Sequence, residues 1–478
     1  MWERKGETFI MVEFSIREVA DAVGSHCDCG SVITSVCTDS RSIQPGCLFV
    51  AIRGERFDGH DFIAQAFDQG AAAVLSERPV DGAAGPVILV KDTRMAFLHL
   101  ASFYRSRFDI PVVGLTGSVG KTTTKEMVAA VLEQKFETLK TEGNLNNQIG
   151  LPRMIFRMEK STQAAVLEMG MDRLGQISSL SQTARPTVGI ITNIGVSHIE
   201  NLGSQQGILK AKLEILDGMA PDAPLLLNGD DPLLLEARAK IRNPVVLYGL
   251  RNPVCSLRAE DVVEESDATS FTAVSAKGKL ALRIPAVGKH NVYNALAAAA
   301  VGGLLGLQPA QIRQGLACYT PSGMRQHVVA CGGITVVEDC YNASPDSIRA
   351  SLSALMLMPL KPGGRRIAVL GDIAELGDYA KQAHRRCGEY AAEAGVDLLF
   401  TVGSNARYCK EEASARGVES RHFDEKGSLL EHLYAILREG DLVLFKASRV
   451  MRLEEVFQAL YQRWNQEGAD DRIRRPVS

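Results

Sequence analysis

Apolar residues in this chain fall mainly into short unbroken runs, separated by stretches with helical spacing. A run without polar alternation is the pattern of a strand covered on both faces. Strands alternating with helices assemble into parallel α/β sheets. Three segments follow from this reading. In the first, up to about Asp109, residues 47–52, 72–75 and 86–90 predict strands, and a helix over 94–107 leads out of it. In the second, 110–115, 164–167 and 187–191 predict buried parallel strands of a doubly wound sheet, closed by an alanine-rich helix over 292–305. The third starts near Pro321, with strands expected at 334–338, 366–370, 397–402 and 441–445 and helices between them. The charged stretch after Asn465 reads as a loose tail. The expected architecture is α/β with three domains, 1–109, 110–320 and 321–478. The smallest is N-terminal, the middle one is doubly wound around a nucleotide, and the last is Rossmann-like.

Composition narrows the partners. The chain has 478 residues, enough for two to four domains at about 100–200 residues each. Its net charge of −3 offers no general electrostatic footprint for nucleic acid or a membrane surface. No apolar run reaches the ~18 residues expected of a membrane span. The N-terminus lacks the apolar core of a secretory signal, and Met11 is a candidate natural start after a short extension. The ten cysteines are scattered; Cys27 and Cys29 form C-x-C without a partner pair at zinc spacing. They read as reduced thiols of a cytoplasmic protein.

The strongest chemical signal follows the strand at 110–115. Thr116-Gly117-Ser118-Val119-Gly120-Lys121-Thr122-Thr123 precedes a helical pattern. Glycines let backbone N–H groups turn inward around phosphate oxygens, and the helix N-terminus adds its positive dipole end. In such a loop Lys121 reaches the β/γ-phosphates and Thr122 holds magnesium, which implies a nucleoside triphosphate, most simply ATP. The strict pattern places glycine five residues before Gly120, where this chain has Leu115. What stands instead is G-x-x-G-x-x-G-K-T, from Gly114. Glu168 ends the run at 164–167. By itself it is either a solvated strand-end carboxylate or a hard oxygen ligand for magnesium.

The variant loop resembles that of the Mur ligase and folylpolyglutamate synthetase group of ATP-dependent amide ligases. Further blocks extend the resemblance from about Phe14 to Tyr461. Thr38-Asp39-Ser40-Arg41 and Gly54-Glu55-Arg56-Phe57-Asp58-Gly59-His60 resemble the uridine-diphosphate-binding domain of the later Mur ligases. Glu142-Gly143-Asn144-Leu145-Asn146-Asn147-Gln148, Val337-Glu338-Asp339-Cys340-Tyr341-Asn342-Ala343-Ser344-Pro345 and Leu370-Gly371-Asp372-Ile373-Ala374-Glu375-Leu376-Gly377 are close to the member that joins D-alanyl-D-alanine to UDP-N-acetylmuramoyl-tripeptide.

The resemblance implies a reaction and a residue set. A peptide carboxylate is phosphorylated by ATP, and an incoming amine attacks the acyl phosphate. The first step depends mainly on positioning and charge neutralisation. Gly117, Ser118, Val119, Gly120, Lys121, Thr122 and Thr123 are expected around the phosphates. Glu168, His198 and a carbamylated Lys212 are expected, with Thr122, around magnesium. Lys210 lies nearby but on another helical face. Asn291 and Asn294 match the block near the adenine, with Asn294 preferred for the base and Asn291 alternatively a helix N-cap. Arg325 and Asp339 match residues that reach the nucleotide from a closing third domain. Asp39, Ser40, Arg41, Arg56, Asp58, His60, Asn144, Asn147, Asn342, Lys446, Ser448 and Arg449 are expected on the peptide and uridine substrates, and His384 near the amine. The family pattern is departed from at Ser322-Gly323-Met324, at Ser344 (commonly asparagine) and at Ala447 (commonly glycine), so dipeptide specificity is the property these changes touch. A monomer is expected. The alternatives are a single-amino-acid-adding Mur ligase, whose Asp-Asn-Pro-Arg block is absent, or a folylpolyglutamate synthetase, which usually lacks the uridine domain. A regulatory NTPase is a third, and the guanine motif Asn-Lys-x-Asp is absent.

Overall fold

A computed structural model describes residues 11–54, 56–321 and 323–466. The extension before Met11, the tail from 467 onward, Glu55 and Ser322 lie outside the described residues. Four sheets carry the chain. A two-stranded pair joins Phe14–Ser15 to Val32–Ile33. A four-stranded sheet runs in the order Ser35–Cys37, Cys47–Val50, Ala73–Ser76, Val87–Leu89, all parallel.

The central sheet has nine strands. Its parallel core runs Thr138–Lys140, Ala164–Glu168, Val112–Thr116, Val188–Ile191, Leu225–Asn228, Val245–Gly249. Alternate side chains on these strands enter different cores, as the two-residue period of a strand requires. Val113, Leu115, Val166 and Ile190 pack with Met127 and Val128 of the helix Lys121–Leu132 and with Val292 and Leu296. Val112, Leu167 and Ile191 face the other way, toward Leu100 and Tyr104 of the helix Thr93–Arg105 and Ile177 of the helix Gln176–Ala184. Coverage on both sides is why the runs are unbroken.

Beyond Val245–Gly249 the sheet continues through Leu257–Glu264, Thr269–Ser275 and Gly278–Ile284, the last two pairings antiparallel. The pattern of apolar runs did not predict these strands, because their residues alternate between buried and exposed. The closing helix is Lys289–Leu304, starting earlier than expected, and a further helix, Pro309–Ala317, packs with it on the phosphate-loop helix.

The sheet of the third segment, called the third sheet below as the four-stranded one is called the first, has six strands in the order His327–Cys331, Ile334–Glu338, Leu442–Lys446, Arg366–Gly371, Leu398–Val402, Glu419–Phe423. The four central ones are those the sequence predicts. The two edge strands are largely exposed and escaped it. His327–Cys331 pairs antiparallel, and the remaining pairings are parallel.

Candidate active site

The phosphate loop is held in shape by the neighbouring strand end. Thr192 Oγ1 and Asn193 Nδ2 donate to Val119 O at 2.6 and 2.9 Å. Val119 N donates to Asn193 Oδ1 at 2.9 Å, and Gly195 N to Ser118 Oγ at 2.8 Å. Two glycines are required, Gly117 by space and Gly120 by its left-handed backbone. A Cβ on Gly117 (φ 154°) would stand 1.8 Å from Thr192 Oγ1, and one on Gly120 (φ 84°) 2.8 Å from Asn294 Oδ1. Thr192 and Asn193 were not singled out from the sequence, where a threonine and an asparagine after a strand look like ordinary turn residues.

At the head of the following helix, Thr122 Oγ1 donates to Glu168 Oε2 at 2.8 Å. Glu168 is buried, and its other oxygen accepts from Asn146 Nδ2 at 2.9 Å. The block at 142–148 therefore reaches Glu168 through Asn146, while Asn144 and Asn147, the residues selected from it, line the same cleft. Asn147 Oδ1 accepts from Ile149 N and Gly150 N at 3.0 and 2.8 Å, holding the next helix, and Asn144 is exposed on the cleft wall. Lys121 Nζ donates to Gly117 O at 2.8 Å. Burial pulls its pKa down, opposed by Glu168.

Lys212 is buried in the helix Gln205–Leu213, whereas Lys210 is exposed. Burial, with the positive Lys121 nearby, pushes the Lys212 amine well below the usual lysine range. His198 caps the short helix Ile199–Leu202 in a left-handed conformation (φ 64°), and its Nδ1 lies against the Glu375 carboxylate from the third sheet's loop.

A cleft of about 3410 Å³ runs from the phosphate loop to the third sheet. Ser118, Val119, Gly120, Lys121, Thr122, Thr123, Glu168, His198, Asn291, Asn294, Arg325, Asp339, Asn342, Lys446, Ser448 and Arg449 line it. Gly117 and Lys212 are buried and do not line it. Asp39, Ser40, Arg41, Arg56, Asp58 and His60 are not brought to it; the first sheet's side contributes Arg94.

Several predicted residues have internal partners. Asn291 does not cap its helix, because Gly288 is the N-cap (φ 104°). Its amide instead donates to Val287 O at 2.9 Å and accepts from Asn294. Asn294 Oδ1 takes Thr124 Oγ1 at 3.0 Å, so this amide braces the phosphate-loop helix. In the first sheet, Asp58 Oδ1 lies 2.6 Å from His60 Nδ1, and the other ring nitrogen accepts from Glu77 N at 3.0 Å. His60 is thus a buried tie between loops. Asp39 and Arg41 form a two-pronged pair, and that guanidinium holds Asp39 down at about 2. His384 is buried away from the cleft and accepts from Ile373 N at 3.0 Å, which removes the ground for placing it on the amine.

Across the cleft, Arg325 lies over the Tyr341 ring, 3.9 Å from its centroid. Lys446 Nζ is bound to the buried Asp339 carboxylate at 2.7 Å, which also accepts from Ser351 Oγ at 2.5 Å. Ser448 Oγ accepts from Ala374 N at 3.0 Å, and Arg449 pairs with Glu454 at 2.5 Å. The departures at Ser344 and Ala447 are absorbed locally. Ser344 caps the helix Pro345–Leu357, as asparagine also can, and Ala447 is buried opposite Gly371.

Fold and cleft together define a phosphate-loop α/β protein whose site is completed by a separate sheet. Three family models match: the Mur ligase family catalytic domain over residues 32–105, the Mur ligase middle domain over 115–302, and the Mur ligase glutamate ligase domain over 324–449. The UDP-N-acetylmuramoyl-tripeptide–D-alanyl-D-alanine ligase of Bacillus subtilis is 40% identical over 437 residues, covering 90% of this chain and 94% of its own. The Escherichia coli ligase of the same name is 36% identical over 458 residues, covering 95% and 99%. Among solved structures, MurF from Acinetobacter baumannii superposes with a TM-score of 0.87 at 30% identity, covering 95% and 99%. MurF from Thermotoga maritima in complex with ADP gives 0.81 at 29%, covering 91% and 98%. The chain belongs to the Mur ligase family.

Proposed function

We propose that the chain is the ATP-dependent ligase that joins D-alanyl-D-alanine to UDP-N-acetylmuramoyl-tripeptide in peptidoglycan precursor synthesis. The observation that carries the reading is the buried Thr122–Glu168 pair at the phosphate loop, facing a cleft wide enough for nucleotide and peptide together. Full-length relatives that carry this activity supply the substrates.

The donor set suits magnesium. A hydroxyl and a carboxylate oxygen stand 2.8 Å apart beside the loop, and magnesium prefers hard oxygen ligands. When bound, the ion neutralises phosphate charge and polarises the transferring phosphoryl group. Thr122, Glu168 and His198 are the residues that would hold it. Gly117 to Thr123 cradle the phosphates, and Lys121 stabilises the moving γ-phosphoryl group. The peptide carboxylate takes that group, the dipeptide amine adds to the acyl phosphate, and phosphate leaves. Lys212 is suited to carbamylation: burial favours its neutral amine, which can attack the carbon of carbon dioxide and lose a proton, leaving an anion. By the resemblance, Asn291 and Asn294 are assigned to the adenine, and Arg325 and Asp339 to the rest of the nucleotide. The predicted uridine and peptide ligands of the first and third segments remain assigned by the resemblance.

We further propose domains at 1–109, 110–320 and 321–478, a monomer, and a cytoplasmic location. Among the described residues no helix is long and apolar enough to cross a membrane. The test is incubation of purified protein with UDP-N-acetylmuramoyl-tripeptide, D-alanyl-D-alanine and magnesium-ATP. Amide product with stoichiometric ADP and phosphate supports the reading, and nucleotide turnover without amide product overturns it.

A further inference from the structure

Glu375 belongs to none of the residues expected at the site, yet it meets one of them across the cleft. It sits in the loop after the strand Arg366–Gly371, and its carboxylate is paired with His198 Nδ1 of the central sheet. Both residues hold left-handed backbone, φ 62° for Glu375 and 64° for His198. That conformation is uncommon for side-chain-bearing residues and persists where surrounding structure enforces it.

The surroundings do enforce it. Glu200 N donates to Glu375 O at 3.3 Å, so the two loops also meet through backbone. A Cβ on Gly377 (φ 51°) would stand 3.2 Å from Glu200 Cγ, so the approach is close. On its own side the Glu375 loop is pinned at three points. His384 Nε2 accepts from Ile373 N at 3.0 Å, and Ser448 Oγ accepts from Ala374 N at 3.0 Å. Asp372 Oδ1 accepts from Asn405 N and Ala406 N at 2.9 and 2.7 Å. The side chains of His384 and Ser448 thus hold the loop that carries Glu375.

We infer that Glu375 is a positioning residue: it orients the His198 ring across the domain boundary, so that cation affinity at the phosphate loop depends on docking of the third sheet. This rests on the reading of His198 as a metal ligand. A carboxylate facing Nδ1 favours the ring orientation that turns Nε2 away from Glu375, the arrangement that metal-binding histidines with a carboxylate partner commonly use. His198 lines the cleft together with Glu168. Because coupling is reciprocal, a cation bound at His198 strengthens third-sheet docking by the same factor by which docking strengthens the cation.

The experiment titrates the full chain with Mn2+ in the presence of ADP, read by electron paramagnetic resonance, alongside ADP affinity and small-angle scattering. Glu375→Ala is expected to weaken one Mn2+ site about 10–100-fold, the usual effect of removing a partner of a ligating histidine, and to abolish Mn2+-induced compaction. Glu375→Gln, whose carbonyl can accept the same N–H, is expected to recover most of the affinity. His198→Ala should lose the same site. Wild-type affinity in Glu375→Ala, with the site lost in His198→Ala, overturns the inference while leaving the metal reading intact. No His198-sensitive site in the wild type overturns both. If Glu375→Ala fails to fold, Glu375→Asp decides: weakened Mn2+ binding supports the inference, and unchanged binding overturns it.

Discussion

Thr122 Oγ1 donates to Glu168 Oε2 at 2.8 Å, joining the first turn of the phosphate-loop helix to the end of the adjacent parallel strand. The pair puts a hydroxyl and a carboxylate where phosphate and cation are expected. Glu168→Gln keeps the size and an acceptor for Thr122 but removes the charge. The expected loss in kcat is about 100–1000-fold, comparable to deleting one transition-state stabilising group. ADP affinity without metal should change little. Phosphate-release kinetics and equilibrium dialysis together check this.

Space governs Gly117 of the loop. Gly117→Ala forces a methyl to within 1.8 Å of Thr192 Oγ1, so nucleotide binding should be lost even where the protein folds. Gly303→Ala meets nothing within 4 Å and lies in the helix Lys289–Leu304, so it should stabilise by about 0.5–1 kcal/mol. Nucleotide binding and chemical denaturation of the two variants give the contrast.

Lys212 carries a stability cost that function explains. Its pKa is depressed in the folded chain, so between that value and the ordinary lysine range the unfolded chain holds the extra proton. Stability therefore rises with pH across this window and falls toward neutrality. Lys212→Met should flatten that slope and raise the melting temperature at pH 7 while abolishing ligation. Scanning calorimetry from pH 7 to 10, without bicarbonate, measures the slope.

The third sheet depends on the buried Lys446–Asp339 pair. Lys446→Met strands a buried carboxylate and should cost about 3–5 kcal/mol, whereas Lys446→Met with Asp339→Asn should cost markedly less. Denaturant unfolding of the single and double variants tests the coupling.

His290 stands at the central end of the cleft, with Asp339 and Lys446 as its charged neighbours. Burial pushes its pKa down to about 4. Below the ordinary histidine range the unfolded chain binds the proton first, so the stability this residue carries near neutrality is lost as pH falls toward 4. His290→Gln should lose less melting temperature than wild type between pH 6.5 and 4.5.

These relationships divide into those visible in the residue order and those not. The strands Val112–Thr116 and Ala164–Glu168 are buried throughout, and burial on both faces leaves an unmistakable apolar run. Leu257–Glu264 and Glu419–Phe423 mix exposed and buried positions, so no run marks them. The phosphate loop was legible because glycine, lysine and threonine have fixed spacing there. Asn146 was not, standing among three asparagines of which the fold turns one toward Glu168. Glu375 was not either, because its meaning lies in His198, far away in sequence and on another sheet. Motif resemblance pointed to Asp58, His60, His384 and Ser448, but it cannot separate a residue that touches a ligand from one that braces a loop. Their hydrogen bonds here brace loops, and Ser448 lines the cleft as well.

The most direct measurement is product formation across UDP-N-acetylmuramoyl-peptides, with D-alanyl-D-alanine and magnesium-ATP and mass-spectrometric detection. The account predicts one new amide per ADP formed with a tripeptide acceptor, none with the dipeptide acceptor, and none from Glu168→Gln beyond trace. Amide formation with a single amino acid on the dipeptide acceptor, or ATP hydrolysis indifferent to the muramoyl peptide, would contradict it.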